Sequence, residues 1–100
     1  MKAIFKKPGH DAEVIDILNT LEALQERIGG SIETVGCFAD ACVICDEEWR
    51  FKYYGTQVIC GMLFGGPILI VGTQGEEFTD LPQPEVVKEL IWPSQRGRER

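Results

Sequence analysis

Residues 13–36, EVIDILNTLEALQERIGGSIETVG, decide the fold because they predict a strand, a helix and a second strand in immediate succession. Apolar residues recur there at helical spacing, at Leu21, Leu24 and Ile28. Asn19 predicts an N-cap, and Glu22 resembles the acidic member of a capping box. Because the glycine pair at residues 29–30 favours a helix end, we expect a helix over about residues 20–28.

Outside this stretch, alternating or continuous apolar runs predict further strands. The strands are expected at residues 2–6, 13–18, 31–35, 41–45, 49–54, 58–64 and 68–71. Pro84 fits the first turn of a last helix over about residues 84–92, which Pro93 ends. Strands with two segregated helices predict an α+β fold, with a small antiparallel sheet of about five to seven short strands.

The length and composition predict one folded domain. The chain has 100 residues, of which 44% are hydrophobic, which is too apolar for intrinsic disorder. We expect residues 1–93 to form a single domain and residues 94–100, which contain Arg96, Arg98 and Arg100, to be a flexible basic tail.

The charge of the chain is unevenly distributed. The net charge is −6, but basic residues are concentrated at both ends, and residues 8–95 contain four basic against fifteen acidic residues, a net charge of −11. An acidic body repels phosphate backbones over a Debye length of about 8 to 10 Å, so we expect no broad binding of nucleic acid. A basic surface on a partner protein would be attracted, although the same charge also serves solubility.

Two hydrophobic segments bear on localisation. Residues 1–7 interleave lysines with apolar residues and do not resemble a secretory signal, so we expect a cytoplasmic protein. The uncharged run at residues 53–75 is long enough to span a bilayer, but it contains six glycines and Pro67. Buried strands explain this run better than a transmembrane helix.

Four cysteines form the most distinctive chemical cluster. Cys37, Cys42, Cys45 and Cys60 follow the spacing C-x4-C-x2-C-x14-C. Four thiolates can fill the tetrahedral shell of one structural zinc ion, which would stabilise a small core. The alternative is that they are buried core thiols without a ligand.

The strand pattern complicates this zinc hypothesis. On a straight strand, Cys42 and Cys45 point to opposite faces, so one of them would not ligate and His10, the single histidine, becomes the substitute ligand. Redox use of this pair is disfavoured because three acidic residues follow Cys45 and should raise its pKa.

An acidic triplet followed by aromatic residues is the predicted partner-binding surface. Its residues are Asp46, Glu47, Glu48, Trp49 and Tyr53. Tryptophan and tyrosine are enriched at interfaces, although a solvated hairpin tip and ordinary core packing explain the same residues. Three adjacent residues on a strand cannot all converge on one catalytic centre, and we find neither a phosphate-binding loop nor a recognisable triad. We therefore expect no enzymatic activity.

Several short motifs in the first half of the chain carry a family resemblance. They are KKPG at residues 6–9, TLEALQ at 20–25, GG at 29–30, IE at 32–33, Val35 and ICDEE at 44–48. Residues 1–48 thus resemble a family of small domains of unknown function carried by phages, plasmids and gut Firmicutes. The resemblance implies no activity.

The phage association suggests a class of function by analogy. A small acidic phage protein looks like the inhibitors of host defence, including anti-CRISPR proteins that act on the type II RNA-guided nuclease, some of which hold a structural zinc. We therefore expect a non-enzymatic inhibitor that binds a basic surface of a host defence protein in the cytoplasm of the host bacterium. The alternative is a homo-oligomeric sponge that binds small nucleotide signals.

Overall fold

The computed structural model describes residues 1–38, 40–52 and 55–93. These residues form an α+β fold with eight strands and two helices, in agreement with the predicted class. In chain order the elements are β1 Lys2–Lys6, β2 Glu13–Asp16, α1 Leu21–Ile28, β3 Ile32–Phe38, β4 Ala41–Asp46, a 3₁₀ turn Trp49–Phe51, β5 Thr56–Ile59, β6 Met62–Gly65, β7 Ile68–Gln74, β8 Glu77–Thr79 and α2 Pro84–Ile91. The predicted basic tail at residues 94–100 lies outside the described residues.

The main sheet is antiparallel and has the strand order β2-β1-β7-β4-β3. The short β8 pairs with the end of β7, and β5 and β6 form a separate hairpin. The central strands β7 and β4 are the most apolar, and every residue of β4 is buried. This arrangement leaves β3 as one edge of the main sheet. The three acidic residues begin with Asp46, the last residue of β4, and continue in the turn that follows.

The two faces of the sheet are covered by different elements, because successive side chains of each strand alternate between them. One face packs on α1 through Leu24 and Ile28. The other face packs on Ile59 and Phe64 of the β5–β6 hairpin and on the apolar side of α2, which includes Val87. The molecule thus has three layers, with the hairpin and α2 together in one of them.

The start of α1 differs from the prediction by one residue. Thr20, not Asn19, is the N-cap, and its side-chain oxygen accepts a hydrogen bond from Ala23 N at 3.2 Å. The Asn19 amide instead donates to the carbonyl oxygen of Phe78 in β8, at 3.0 Å. The predicted end is correct, since Gly29 adopts a left-handed conformation with φ of 95° and closes the helix.

Two predicted strands differ from the structure. Residues 49–51 form a 3₁₀ turn rather than a strand, and residues 53–54 lie outside the described residues. The predicted strand at 58–64 is two strands, because Cys60 and Gly61 both have positive φ and form a tight turn between β5 and β6. The short β8 was not predicted.

The uncharged segment contributes β5, β6 and all of β7, so it forms strands as expected, but β5 and β6 are only partly buried. Residues 68–71 of β7 are completely buried. In the described part of the chain, neither helix has the length and apolar character needed to cross a membrane.

Candidate functional site

The acidic segment begins with a buried residue. Asp46 is 0% exposed, and its carboxylate accepts hydrogen bonds from Glu48 N at 2.8 Å and from Lys52 Nζ at 2.7 Å. Removal of a carboxylate from water is costly unless it is paired, and these contacts compensate for that cost. Asp46 therefore stabilises the loop, and its carboxylate does not belong to the partner-binding surface that the sequence predicts.

Lys52 connects the loop after β4 to the C-terminal end of α1. Besides its ion pair with Asp46, its ammonium group lies 3.4 Å from the carbonyl oxygen of Gly29, at the C-terminus of α1. A cation at that end of a helix is favourable because the last carbonyl groups carry partial negative charge. The ion pair thus holds the segment after β4 against the end of α1.

The next residues are turned outward by the backbone. Glu47 N donates to Ser31 O at 2.8 Å, and Phe51 N donates to Glu48 O at 2.9 Å. This geometry leaves Glu47 and Glu48 exposed, and it leaves the Phe51 side chain 85% exposed. Phe51 is the most exposed of the large hydrophobic side chains among the described residues, and it lies on the same short segment as the exposed Glu47 and Glu48.

Trp49 is half-buried and lies against the β5–β6 hairpin. Its ring contacts Gly65 so closely that a Cβ atom at that position would clash with it. The guanidinium carbon of Arg50 is 4.6 Å from the ring centroid, which is a cation–π distance. The glycine in β6 therefore makes the space that fixes the indole ring beside the hairpin.

The hairpin extends this apolar area. Val58 and Leu63 are directly paired across β5 and β6, on the same face as Gly65, and they are 64% and 55% exposed. We call the combined region the aromatic-acidic surface. It consists of Glu47, Glu48, Trp49, Phe51, Val58 and Leu63.

The sequence-based prediction identified this surface only in part. Glu47, Glu48 and Trp49 lie on it, Asp46 lies beneath it, and Tyr53 lies outside the described residues. Phe51, Val58 and Leu63 were not among the predicted binding residues. No strong local signal indicated the last two, because Cys60, unlike asparagine, aspartate or glycine, is not a usual first residue of the two-residue turn that places them on one face.

The four cysteines do not come together in this fold. Cys42 packs on the α1 side of the sheet and Cys45 on the opposite side, as the alternation along a straight strand requires. Cys37 and Cys60 are in contact, with their sulfur atoms 3.3 Å apart. His10 is exposed, with Nδ1 3.0 Å from the carbonyl oxygen of Pro8. Within residues 1–38, 40–52 and 55–93 no group of three or more His, Cys, Asp or Glu side chains could hold a metal ion.

Burial keeps the core thiols protonated. It raises the pKa of Cys45 to about 11, with smaller contributions from the charges of Glu33 and Asp46, and it raises the pKa of Cys42. Zinc ligation requires thiolates, so each ligand would have to lose its proton on binding. The shared zinc ion stays a prediction, and element-specific mass spectrometry of untagged protein measures it directly.

An open cleft is a candidate site for a small molecule, which the nucleotide-binding alternative would require. It has a volume of about 290 Å³ and lies between the β3–β4 turn and the start of α2. Its lining is Phe38, Asp40, Ala41, Leu81, Pro82 and Val87. The single charged residue in this lining is a carboxylate, which repels phosphate groups, so the cleft does not favour the nucleotide-binding alternative.

Comparison with known proteins gives a family but no function. A family model described as a domain of unknown function, DUF3846, matches residues 1–91. The chain belongs to this family. The match extends well beyond the resemblance at residues 1–48, and it includes both helices and all eight described strands. No curated protein and no solved structure gives a significant match.

Proposed function

We propose that this DUF3846 domain is a non-enzymatic binding protein that docks its aromatic-acidic surface on a basic surface of a partner protein. The observation that carries the proposal is Phe51, which is 85% exposed on the turn that follows the exposed Glu47 and Glu48. Exposure of a phenylalanine ring to water is unfavourable, so a partner that covers the ring gains binding free energy.

The composition of the surface fits a protein interface. It combines four apolar side chains, Trp49, Phe51, Val58 and Leu63, with the exposed carboxylates of Glu47 and Glu48. Interfaces typically have an apolar centre with aromatic anchors and a charged rim. Trp49 is already held by Gly65 and Arg50, so little side-chain entropy would be lost when a partner binds it.

The charge of the body supports a basic partner. Residues 8–95 have a net charge of −11, and fourteen of their fifteen carboxylate side chains are exposed, the exception being Asp46. Such a field accelerates association with a basic surface, such as one that normally holds nucleic acid. A host defence nuclease offers a surface of this kind, and the phage and plasmid distribution implied by the resemblance supports that class. We take the type II RNA-guided nuclease as the leading target and inhibition as the result.

Titration of the purified chain into such a nuclease tests this proposal. Phe51→Ala should weaken binding at least about tenfold, as expected for an anchor residue at an interface. Leu18→Ala is the matched control, because Leu18 is 73% exposed but follows β2, at the far edge of the sheet. Equal affinities of the Phe51→Ala and Leu18→Ala variants would contradict the assignment of the surface.

A second outcome would favour the sponge alternative. In that case, heating the purified protein would release a bound nucleotide, and the nuclease would not bind. Affinity for the nuclease with no nucleotide released supports the docking proposal.

A further inference from the structure

We propose that Cys37 and Cys60 are a redox-active thiol pair that closes to an intramolecular disulfide when a small-molecule disulfide oxidises it. The resulting bond would lock the tip of the β5–β6 hairpin to β3, the edge strand of the main sheet. This inference does not depend on the proposed binding function.

The geometry of the two thiols carries the inference. Their sulfur atoms are 3.3 Å apart, although the residues are 23 positions apart in sequence, with Cys37 in β3 of the main sheet and Cys60 in the turn of the separate β5–β6 hairpin. A disulfide has an S–S distance of about 2.05 Å, so the sulfurs have to approach by only about 1.3 Å. The other two cysteines, Cys42 and Cys45, point to opposite faces of β4 and cannot form such a bond.

The backbone at Cys37 contributes to this approach. The register of β3 against β4 shifts between Gly36 and Phe38, which makes Cys37 the extra residue of a β-bulge. Bulges re-aim side chains. Here the thiol points to the face of the sheet that the hairpin covers.

The position of Cys60 is the second observation. It is exposed and occupies the first position of the two-residue turn between β5 and β6, with φ of 52°, followed by Gly61 with φ of 78°. Asparagine, aspartate or glycine usually occupies this position, because a left-handed backbone is strained for other residues. A cysteine is therefore unfavourable for the conformation of this turn. A role for the Cys60 thiol would explain why a cysteine occupies the position.

The disulfide would have a definite mechanical effect. The described part of the hairpin has no backbone ladder to the main sheet. It packs on the sheet through the core, and Gln57 Nε2 donates a hydrogen bond to the carbonyl oxygen of Lys6 at 3.2 Å. Gln57 lies towards the base of the hairpin, whereas Cys60 is at its tip. A covalent bond at the tip would therefore replace the weak thiol–thiol contact that this end makes with β3.

The reaction proceeds by two thiol–disulfide exchanges. The Cys60 thiolate attacks one sulfur of the oxidant R–S–S–R, whose S–S bond breaks, and a first R–S⁻ leaves and takes a proton. The Cys37 sulfur then attacks Cys60 Sγ of the mixed disulfide and transfers its proton to the second departing R–S⁻. Two protein thiols lose two electrons in total, and the oxidant is reduced to two R–SH molecules.

The order of attack follows from exposure. Cys60 is exposed and accessible to the oxidant, whereas Cys37 is only partly exposed. Cys60 is therefore the attacking thiol and Cys37 the resolving thiol.

Oxidation of the full chain with oxidised glutathione tests the inference. Intact mass should fall by two hydrogen atoms, non-reducing peptide mapping should give a single peptide pair that joins Cys37 to Cys60, and the Tm should rise by roughly 10 °C. The change should reverse with dithiothreitol. Metal analysis of the same sample establishes whether the starting thiols are free.

Two variants provide the controls. Cys60→Asn removes the thiol and places a residue suited to the left-handed turn, so the reduced protein should be at least as stable as the wild type, and oxidation should leave its Tm unchanged. Cys42→Ser retains the pair and should still show the oxidative rise in Tm.

Several results would overturn the inference. These are a Cys60–glutathione mixed disulfide that persists, a dimer linked through Cys60, a link that uses Cys42 or Cys45, or a zinc ion that both Cys37 and Cys60 ligate. An oxidised Cys60→Asn variant with the same rise in Tm as the wild type would also overturn it.

Discussion

Asp46, Glu47 and Glu48 are consecutive acidic residues with different roles. Asp46 ends the fully buried β4, and its carboxylate binds Glu48 N and Lys52 Nζ, whereas Glu47 and Glu48 are exposed. The sequence predicted an acidic surface here, but the burial of its first member depends on Lys52, six residues later. That ion pair could not be read from the run of acidic residues.

The buried carboxylate leads to a stability prediction. Asp46→Ala leaves the Lys52 ammonium and the Glu48 N–H without this partner, so we expect the free energy of unfolding to fall by about 3 kcal/mol. Urea unfolding measures this change. Glu47→Ala is the control and should change the free energy by less than about 0.5 kcal/mol, because the side chain is exposed. Equal effects would show that Asp46 does not have this structural role.

The buried Cys45 thiol and the half-buried Cys37 thiol predict a loss of stability in alkaline solution. The fold raises the pKa of Cys45 to about 11 and that of Cys37 to about 12, from a reference value of 9.0. The unfolded chain therefore loses these protons first, and above about pH 9 stability falls as pH rises. Below that pH both states keep the protons and the contribution is fully present.

Urea unfolding at about pH 8 and about pH 10 measures this dependence. The Cys37→Ala/Cys45→Ala double variant is the comparison, and its stability should fall less between the two conditions than that of the wild type. A wild type whose loss is no greater than that of the double variant would contradict the assigned direction.

At the scale of elements, α1 was predicted well because its signals are local. Leu21, Leu24 and Ile28 follow helical spacing, and Gly29 supplies the left-handed end. The N-cap was wrong by one residue because Asn19 and Thr20 are both good caps. The choice depends on Phe78, whose carbonyl oxygen binds the Asn19 side chain from a distant strand.

The 3₁₀ turn at Trp49–Phe51 could not be predicted from the pattern. Alternating aromatic and basic residues at 49–54 are typical of a half-buried strand. The Asp46 side chain, however, binds Glu48 N two residues on, in the manner of an Asx-turn, and this bond turns the chain away from an extended path.

The face of α1 that packs on the sheet gives a prediction at this scale. Leu24 is 2% exposed and Leu21 is 56% exposed on the same short helix. We expect Leu24→Ala to reduce the free energy of unfolding by roughly 2 to 5 kcal/mol and Leu21→Ala by less than about 0.5 kcal/mol. Thermal and urea unfolding of both variants measure this difference, and similar effects would mean that the helix packs through another face.

At the scale of the whole molecule, the sequence predicted the class but not the arrangement. The alternation of apolar residues identifies strands, but the pairing of β7 with both β1 and β4 joins segments far apart in sequence. The placement of the β5–β6 hairpin beside Trp49 depends on the close contact with Gly65, which no local pattern reveals. Consequently, half of the aromatic-acidic surface could be seen only in the folded chain.

Charge at opposite ends of the sheet offers a matched comparison for the docking proposal. Glu47 and Glu48 follow the end of β4, whereas Glu76 and Glu77 lie at the β7–β8 turn, beside the start of β4. The length of β4 alone separates the two pairs by roughly 16 Å, which exceeds the Debye length at physiological salt. Neutralising either pair therefore changes the net charge equally, but only the change at Glu47 and Glu48 alters the charge of the aromatic-acidic surface.

The association rate constant for the type II RNA-guided nuclease tests the central claim most directly. Glu47→Gln/Glu48→Gln should lower that rate constant by roughly threefold or more and reduce its dependence on salt, with little change in the dissociation rate constant. Glu76→Gln/Glu77→Gln should retain at least most of the wild-type rate constant. The account would be contradicted if both double variants associated at the same rate, or if the wild-type rate constant did not change with salt.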